Sequence, residues 1–95
     1  MRRRYMPSYD IASDKRRTQV FELLAAYGDH VQYSVFLADM SDREFVVLRG
    51  KLLDVIHERE DQVLIVDLGR ETRSLENTLE VVGRPYHPPA RTMVV

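Results

Sequence analysis

The sequence predicts an α+β fold, an antiparallel sheet with two helices against one of its faces. Two segments repeat apolar residues at helical spacing, and each opens at a serine suited to a helix N-cap. Around them lie short runs rich in Val, Ile, Tyr and Phe, the composition of strands. The length of 95 residues holds one domain rather than two, with a core so thin that oligomerisation would help.

Residues 4–11 read as the first strand, since Tyr5, Met6, Tyr9 and Ile11 fit a pleated surface. Pro7 is the flaw in it, because proline donates nothing to a ladder and belongs at an edge, a strand start or a bulge. Ser13 or Asp14 caps the first helix, which runs to about Tyr27 with Val20, Leu23, Leu24 and Tyr27 on one face. Gly28 follows as a helix-ending residue. Residues 30–38 alternate as one strand. Val31, Tyr33, Val35 and Leu37 fall on one side, Gln32, Ser34, Phe36 and Ala38 on the other. The second side, with polar groups beside Phe36, reads as an open or partner-facing surface.

Ser41 and Glu44 form a capping box that starts the second helix. It runs to about His57, with Phe45, Leu48, Leu52 and Val55 or Ile56 as its buried stripe. Gly50 in its middle costs roughly 1 kcal/mol relative to Ala. Residues 58–61 are a charged turn. Residues 62–68 are almost continuously apolar, as expected of a central strand covered on both faces. A polar loop over 69–77 precedes a further strand at 78–83, after which Pro85, Pro88 and Pro89 break regular structure. The apolar tail at 92–95 needs a burial place, for which the sheet edge of a second copy is the natural answer. This order fits a variant of the ferredoxin-like βαββαβ arrangement. Residues 1–83 make that domain, and residues 84–95 a linker and a C-terminal strand contributed to a dimer partner.

Composition excludes several classes. Cysteine is absent, so there is neither a disulfide framework nor a thiolate metal site, which suits a cytoplasmic location. No apolar run approaches the roughly 18 residues of a membrane span, and none follows the charged start to make a signal peptide. There is no phosphate-cradling glycine loop, zinc signature or nucleophile triad. The formal net charge of −1 does not announce a nucleic-acid binder. Its distribution is uneven, however: Arg2, Arg3, Arg4, Lys15, Arg16 and Arg17 fall early, whereas Asp54, Glu58, Glu60, Asp61 and Asp67 fall in the middle. That pattern reads either as ordinary surface scatter or as a basic face near the N-terminal half.

Ser8-Tyr9-Asp10-Ile11, then Asp14-Lys15-Arg16-Arg17, Tyr27-Gly28 and the run Val31-Gln32-Tyr33-Ser34-Val35-Phe36 resemble the second of the two core CRISPR adaptation proteins, the "Cas two" family. The likeness covers about residues 4–68. It implies a dimeric ferredoxin-like protein, a metal-dependent endoribonuclease or endonuclease by family description. It also implies a place at the centre of the spacer-acquisition complex, bridging subunits of the Cas one integrase. Two departures from the family pattern stand out. Met6-Pro7 replaces apolar residues ahead of Asp10, and His30 stands where arginine is usual.

By itself Asp10 reads as a turn or N-cap acceptor for the first helix. The resemblance makes it the metal-binding and catalytic carboxylate, which meets its copy across a dimer axis and holds Mg²⁺ (or Mn²⁺). Arg16 and Arg17, with Arg2 to Arg4 behind them, are either a solvated face or contacts to the phosphates of nucleic acid, duplex DNA or single-stranded RNA. Tyr9, Ser34, Phe36 and His30 are candidate supports of the site, although Phe36 reads more readily as core or dimer packing and Tyr9 as a half-buried strand residue. His57 and His87 read as surface. Two other functions compete: a stand-alone toxin-like RNA nuclease and a non-enzymatic ferredoxin-like regulatory module.

Overall fold

The computed structural model describes residues 2–70 and 72–86. Strand β1 (Arg2–Asp10) leads to helix α1 (Asp14–Ala25), strands β2 (Asp29–Gln32) and β3 (Val35–Ser41), helix α2 (Asp42–Val55), strand β4 (Gln62–Asp67) and a single-turn helix α3 (Leu75–Thr78). The sheet order is β2-β3-β1-β4, and all neighbours are antiparallel. This is the expected ferredoxin-like βαββαβ order.

The strands that build it are not all the expected ones. The run at 30–38 is two strands, not one, because the chain reverses at Tyr33-Ser34. The faces are the reverse of those expected in both strands, since His30 of β2, like its partner Phe36 of β3, lies against the core. Phe36, Ala38 and Met40 are buried against the helices, and Val35 and Leu37 turn to the opposite side. The apolar run at 62–68 forms an edge strand rather than a central one. Val63 and Ile65 pack on the core, whereas Leu64, Val66 and Leu68 are exposed. Residues 78–83 are not a strand: α3 ends at Thr78, and irregular chain follows. The tail at 92–95 lies outside the described residues.

The central position falls to β1, Pro7 included. Arg4 turns its backbone groups toward β4, donating to the Gly69 carbonyl at 2.8 Å and accepting from Leu68 N–H at 2.8 Å. Tyr9 donates to Ser34 O on the β3 side at 3.1 Å. Alternation therefore aims the Pro7 nitrogen at β3, where the pairing lapses between Tyr5↔Ala38 and Ser8↔Val35. The register on both sides of the gap is the same, and the β4 ladder runs unbroken from Tyr5↔Asp67 to Asp10↔Gln62. Pro7 thus removes one ladder bond, about 1 kcal/mol, without displacing the strand.

Both helices begin as their sequences dictate. Ser13 accepts from Arg16 N–H at the head of α1. At α2 the capping box is complete: Glu44 N–H donates to Ser41 Oγ at 3.1 Å, and Ser41 N–H donates to the Glu44 carboxylate at 2.9 Å. Val20 and Leu24 of α1 and Leu48 and Leu52 of α2 meet Tyr5, Tyr9 and Phe36 of the sheet in one core. Tyr5 stacks on Phe45, with ring centroids 4.7 Å apart.

Two glycines show opposite constraints. Gly28 lies against the β3 backbone, where a Cβ would fall 2.7 Å from the Ala38 Cβ and closer still to the Leu37 carbonyl oxygen. Gly50 faces open space. Gly28→Ala is therefore expected to destabilise by about 1–3 kcal/mol through overpacking, and Gly50→Ala to stabilise by about 0.5–1 kcal/mol through helix propensity. Urea denaturation of both variants checks this, and shifts of equal sign would contradict it.

Candidate active site at the end of the central strand

Asp10 is the last residue of β1, and the even-numbered alternation of that strand puts it on the face away from the helices. The same face carries Met6 and Ser8 of β1, Val35, which pairs with Ser8, and Leu37 of β3, and Val66 and Leu64 of β4, the partners of Met6 and Ser8. The Asp10 residue is exposed, and among the described residues its carboxylate takes no hydrogen bond or ion pair. It does not cap α1, because Ser13 does. An unengaged carboxylate on a strand end is free to bind a cation. It borders an open cleft of about 470 Å³ lined also by Tyr9, Ile11, Arg17, Tyr33 and Ser34.

Arg17 stands in this cleft with Asp10. Its guanidinium donates to Asp14 at 2.6 Å and to the Ile11 carbonyl at 2.9 Å, which ties it to the loop after Asp10. Asp14 is almost fully exposed, at 97% for its side chain, so water screens the pair. A phosphate can replace such a partner at little cost.

Arg16 is differently placed. Its Nε donates to Asp61 Oδ2 at 2.7 Å and its Nη2 to Asp61 Oδ1 at 3.3 Å, and Nη2 also reaches Glu60 at 3.1 Å. The Asp61 side chain is wholly buried. It accepts two backbone bonds as well, from Ala12 N–H at 2.9 Å and His57 N–H at 2.7 Å. Removing Arg16 to bind another anion would leave a buried charge uncompensated. The two neighbouring arginines, equivalent in sequence, are thus one exchangeable cation and one committed cation.

The other early arginines are also engaged. Arg2 donates to Glu44 at 2.8 Å and to the Asp39 carbonyl, and Arg3 meets Asp67 at 3.4 Å. Arg4 is buried at 3% exposure. It makes two bonds to the Asp39 carboxylate, at 2.7 and 3.0 Å, and reaches the Arg73 carbonyl at 2.9 Å and Thr78 Oγ1 at 2.5 Å. It therefore fastens the segment after β4 across the open sheet face.

Of the candidate supports, Ser34 borders the cleft and gives its carbonyl to Tyr9 N–H. Tyr9 is buried, more deeply than a half-covered strand tyrosine, and its burial raises the phenol above its usual pKa. Phe36 is fully buried core. His30 lies against Phe36 at 4.9 Å between centroids and edge-on to Phe21 at 5.0 Å, while its Nε2 is 2.9 Å from the Tyr33 carbonyl. His30 thus holds the β2–β3 turn from beneath. His57 is exposed, as expected, and His87 lies outside the described residues.

Sequence reasoning overlooked Tyr33 and Asp61. Tyr33 is 79% exposed at the turn beside Asp10. Nothing marked that turn, because Tyr33-Ser34 lacks the glycine or asparagine typical of tight hairpins. Asp61 was hidden in a charged run, where neighbouring Glu58 and Glu60 look the same.

Among the described residues no three His, Asp or Glu side chains gather into a metal cage, and no helix is long and apolar enough to cross a membrane. Fold and site together define a small ferredoxin-like α+β protein with one exposed carboxylate at the end of its central strand. The sequence profile of the family described as CRISPR associated protein Cas2 matches residues 3–74. A Synechocystis relative named CRISPR-associated endoribonuclease Cas2 is 33% identical over 92 residues, covering 95% of this chain and 97% of its own. A hypothetical protein of Thermus thermophilus superposes with a TM-score of 0.77 at 30% identity, over 93% of this chain and 99% of that one. Streptococcus pyogenes Cas2 gives 0.69 at 26%, over 84% of this chain and 99% of that one. The chain belongs to the CRISPR-associated Cas2 family.

Asp61 also sets a pH dependence. Its hydrogen bonds from Arg16, foremost, and from the His57 and Ala12 N–H groups hold the carboxyl well below the usual range, against the opposing effect of desolvation. Folding therefore favours the ionised form. That stabilisation is complete above the unfolded carboxylate pKa of about 4 and is lost as pH falls below it. Glu44, lowered by the Ser41 N–H and by Arg2, acts in the same direction. Melting temperatures are expected to fall more steeply below about pH 4 in the native protein than in Asp61→Asn. Parallel slopes would contradict this assignment.

Proposed function

We propose that this chain is a CRISPR spacer-acquisition protein acting as a homodimer, with Asp10 as the metal-binding and catalytic carboxylate of a divalent-metal-dependent nuclease. The observation that carries this reading is the exposed, unengaged carboxylate of Asp10 on the open face of the sheet. A single carboxylate suits Mg²⁺ or Mn²⁺, which keep several waters and take one or two protein carboxylates. Such an ion, when bound, supplies polarisation of a phosphodiester and a water of lowered pKa. Arg17 exchanges Asp14 for a phosphate oxygen and so orients the strand beside Asp10. Arg16 acts from beneath the surface. Ser34 and Tyr9 hold the β2–β3 turn against the end of β1, and His30 and Phe36 support the turn from the core.

Several features support the dimer. Leu64, Val66 and Leu68 are 54%, 43% and 46% exposed on the face that carries Asp10. The outer edge of β4 has no partner strand among the described residues. Beside that edge runs a groove lined by Phe45, Leu52, Leu53, Ile56, Val63 and Ile65. An incoming strand would gain ladder bonds and apolar burial there at once, and residues 92–95 of a second copy have the composition for it. The dimer brings two Asp10 carboxylates to one ion. In the assembly it bridges Cas one integrase subunits and holds nucleic acid through backbone contacts, duplex DNA in integration and single-stranded RNA in cleavage. Names of relatives such as the Synechocystis endoribonuclease support the nuclease assignment.

Asp10→Asn tests the reading in two assays, Mg²⁺-dependent cleavage of an RNA oligonucleotide and spacer integration with the integrase. Cleavage is expected to fall by at least about 100-fold in a variant that folds normally. Unchanged cleavage would remove Asp10 from the catalytic role. Integration that survives the substitution would make the subunit's part in the complex architectural.

A further inference from the structure

We infer that Asp61, with Arg16, is the positioning residue that fixes the backbone around Asp10. This rests on the proposed role of Asp10. Loops are among the segments that open at least cost, yet the three-residue loop after Asp10 is held by a buried carboxylate.

Asp61 engages three elements at once. Oδ1 accepts from Ala12 N–H at 2.9 Å, two residues beyond Asp10. Oδ2 accepts from His57 N–H at 2.7 Å, at the exit of α2, and from Arg16 Nε at 2.7 Å, in the first turn of α1. The next residue, Gln62, is the cross-strand partner of Asp10 in β4. Asp61 therefore holds the Asp10 segment from both sides, through the loop that leaves Asp10 and through the strand paired with it.

The chemistry requires all of these partners together. A carboxylate with no exposed side-chain surface needs its lone pairs filled, and four donors fill them. Arg16 supplies the compensating charge and its fork geometry. In turn it is fixed by the helix whose N-cap, Ser13, follows Ala12. Loop, cap, arginine and carboxylate form one closed unit, and Asp10 is the exposed end of it. An exposed side chain gains precision only from the backbone beneath it. Misplacement of a reacting group by about 1 Å costs on the order of 100-fold in rate.

The full-length chain tests this in two measurements. In metal-free protein, hydrogen exchange is read at the Ala12 amide. With Mg²⁺, kcat and KM are read for cleavage of a single-stranded RNA oligonucleotide. Asp61→Asn is compared with Ser41→Ala, which weakens α2 without touching the loop, and with Asp10→Asn. Asp61→Asn is expected to speed Ala12 exchange beyond its loss of global stability and to lower kcat by about 10- to 100-fold with KM little changed. Ser41→Ala is expected to do neither. Arg16→Lys, which keeps the charge and loses the fork, is expected to fall between native and Asp61→Asn, and it decides the matter if Asp61→Asn does not fold. Equal Ala12 exchange and kcat in Asp61→Asn and Ser41→Ala would overturn the inference while leaving Asp10→Asn inactive. Full cleavage by Asp10→Asn would instead sink the reading on which the inference rests.

Discussion

The two-residue alternation of β1 is the constraint on which the rest depends. With neighbours on both edges, this strand can neither slip nor twist away without losing two ladders. Its odd-numbered residues Tyr5, Pro7 and Tyr9 face the helices and are buried. Its even-numbered residues Arg4, Met6, Ser8 and Asp10 face the other way. A shift of one residue would drive Asp10 into the core and bring Tyr9 out, so the stability of the domain and the accessibility of the carboxylate are set by one register. This explains why Pro7 is tolerated at the centre of the sheet. Pro7 fills core volume, and its missing donor falls on the β3 side, where pairing resumes at Ser8 in the same register. The strand loses a bond and keeps its alignment.

The charges follow a similar division. Of the six early cations, Arg2, Arg3, Arg4, Arg16 and Arg17 all form ion pairs within the chain, and only Lys15 has no such partner among the described residues. The clustering seen in the sequence therefore does not make a bare basic face, because acids from the middle of the chain fold back onto Arg2, Arg3, Arg4 and Arg16, and Asp14 meets Arg17. What separates these pairs is the exposure of the acid. Asp61 is buried and Asp14 lies in water. A pair with an exposed acid yields to a competing phosphate. A pair with a buried acid is part of the framework. A modest net charge of −1 is then compatible with the proposed contacts to phosphate, provided those contacts come from cations whose partners can be exchanged.

The parts of the fold legible in the sequence were those governed by local chemistry. Ser13 and the Ser41–Glu44 box announced both helices, and the stripes Val20–Leu24 and Leu48–Leu52 announced their buried faces. Properties set by distant neighbours were not legible. The hairpin at Tyr33-Ser34 carries no turn residue, so the run read as one strand. Its alternation was legible, but which side meets the core was not, because His30 and Phe36 rather than Val35 and Leu37 pack beneath α1. The apolar run at 62–68 looked central because its outward residues Leu64, Val66 and Leu68 are as hydrophobic as its inward ones. In the fold they lie on an open face, and an apolar open face asks for a partner. Gly28 was read as a helix terminator, whereas its need for glycine comes from the β3 backbone. At the site, Asp10 and Arg17 stood out through the resemblance. Asp61 did not, since burial is what distinguishes it from Glu58 and Glu60, and burial is a property of the fold.

A lone carboxylate per chain ties assembly to chemistry. In the proposed site, one Asp10 would give an ion a single protein ligand and leave most of its shell to water. In the proposed dimer, a second copy packed on the exposed face of β4 and β1 would double the ligands without any change in either fold. Affinity for metal would then depend on how closely the two copies approach, which the exposed residues Leu64, Val66 and Leu68 would decide. Precision within each copy has a different origin. It comes from the buried Asp61 and Arg16, which hold the end of β1 whether or not a partner is present. In the proposed dimer, the interface sets the distance between the two carboxylates, and the framework of each chain sets the direction in which each one points.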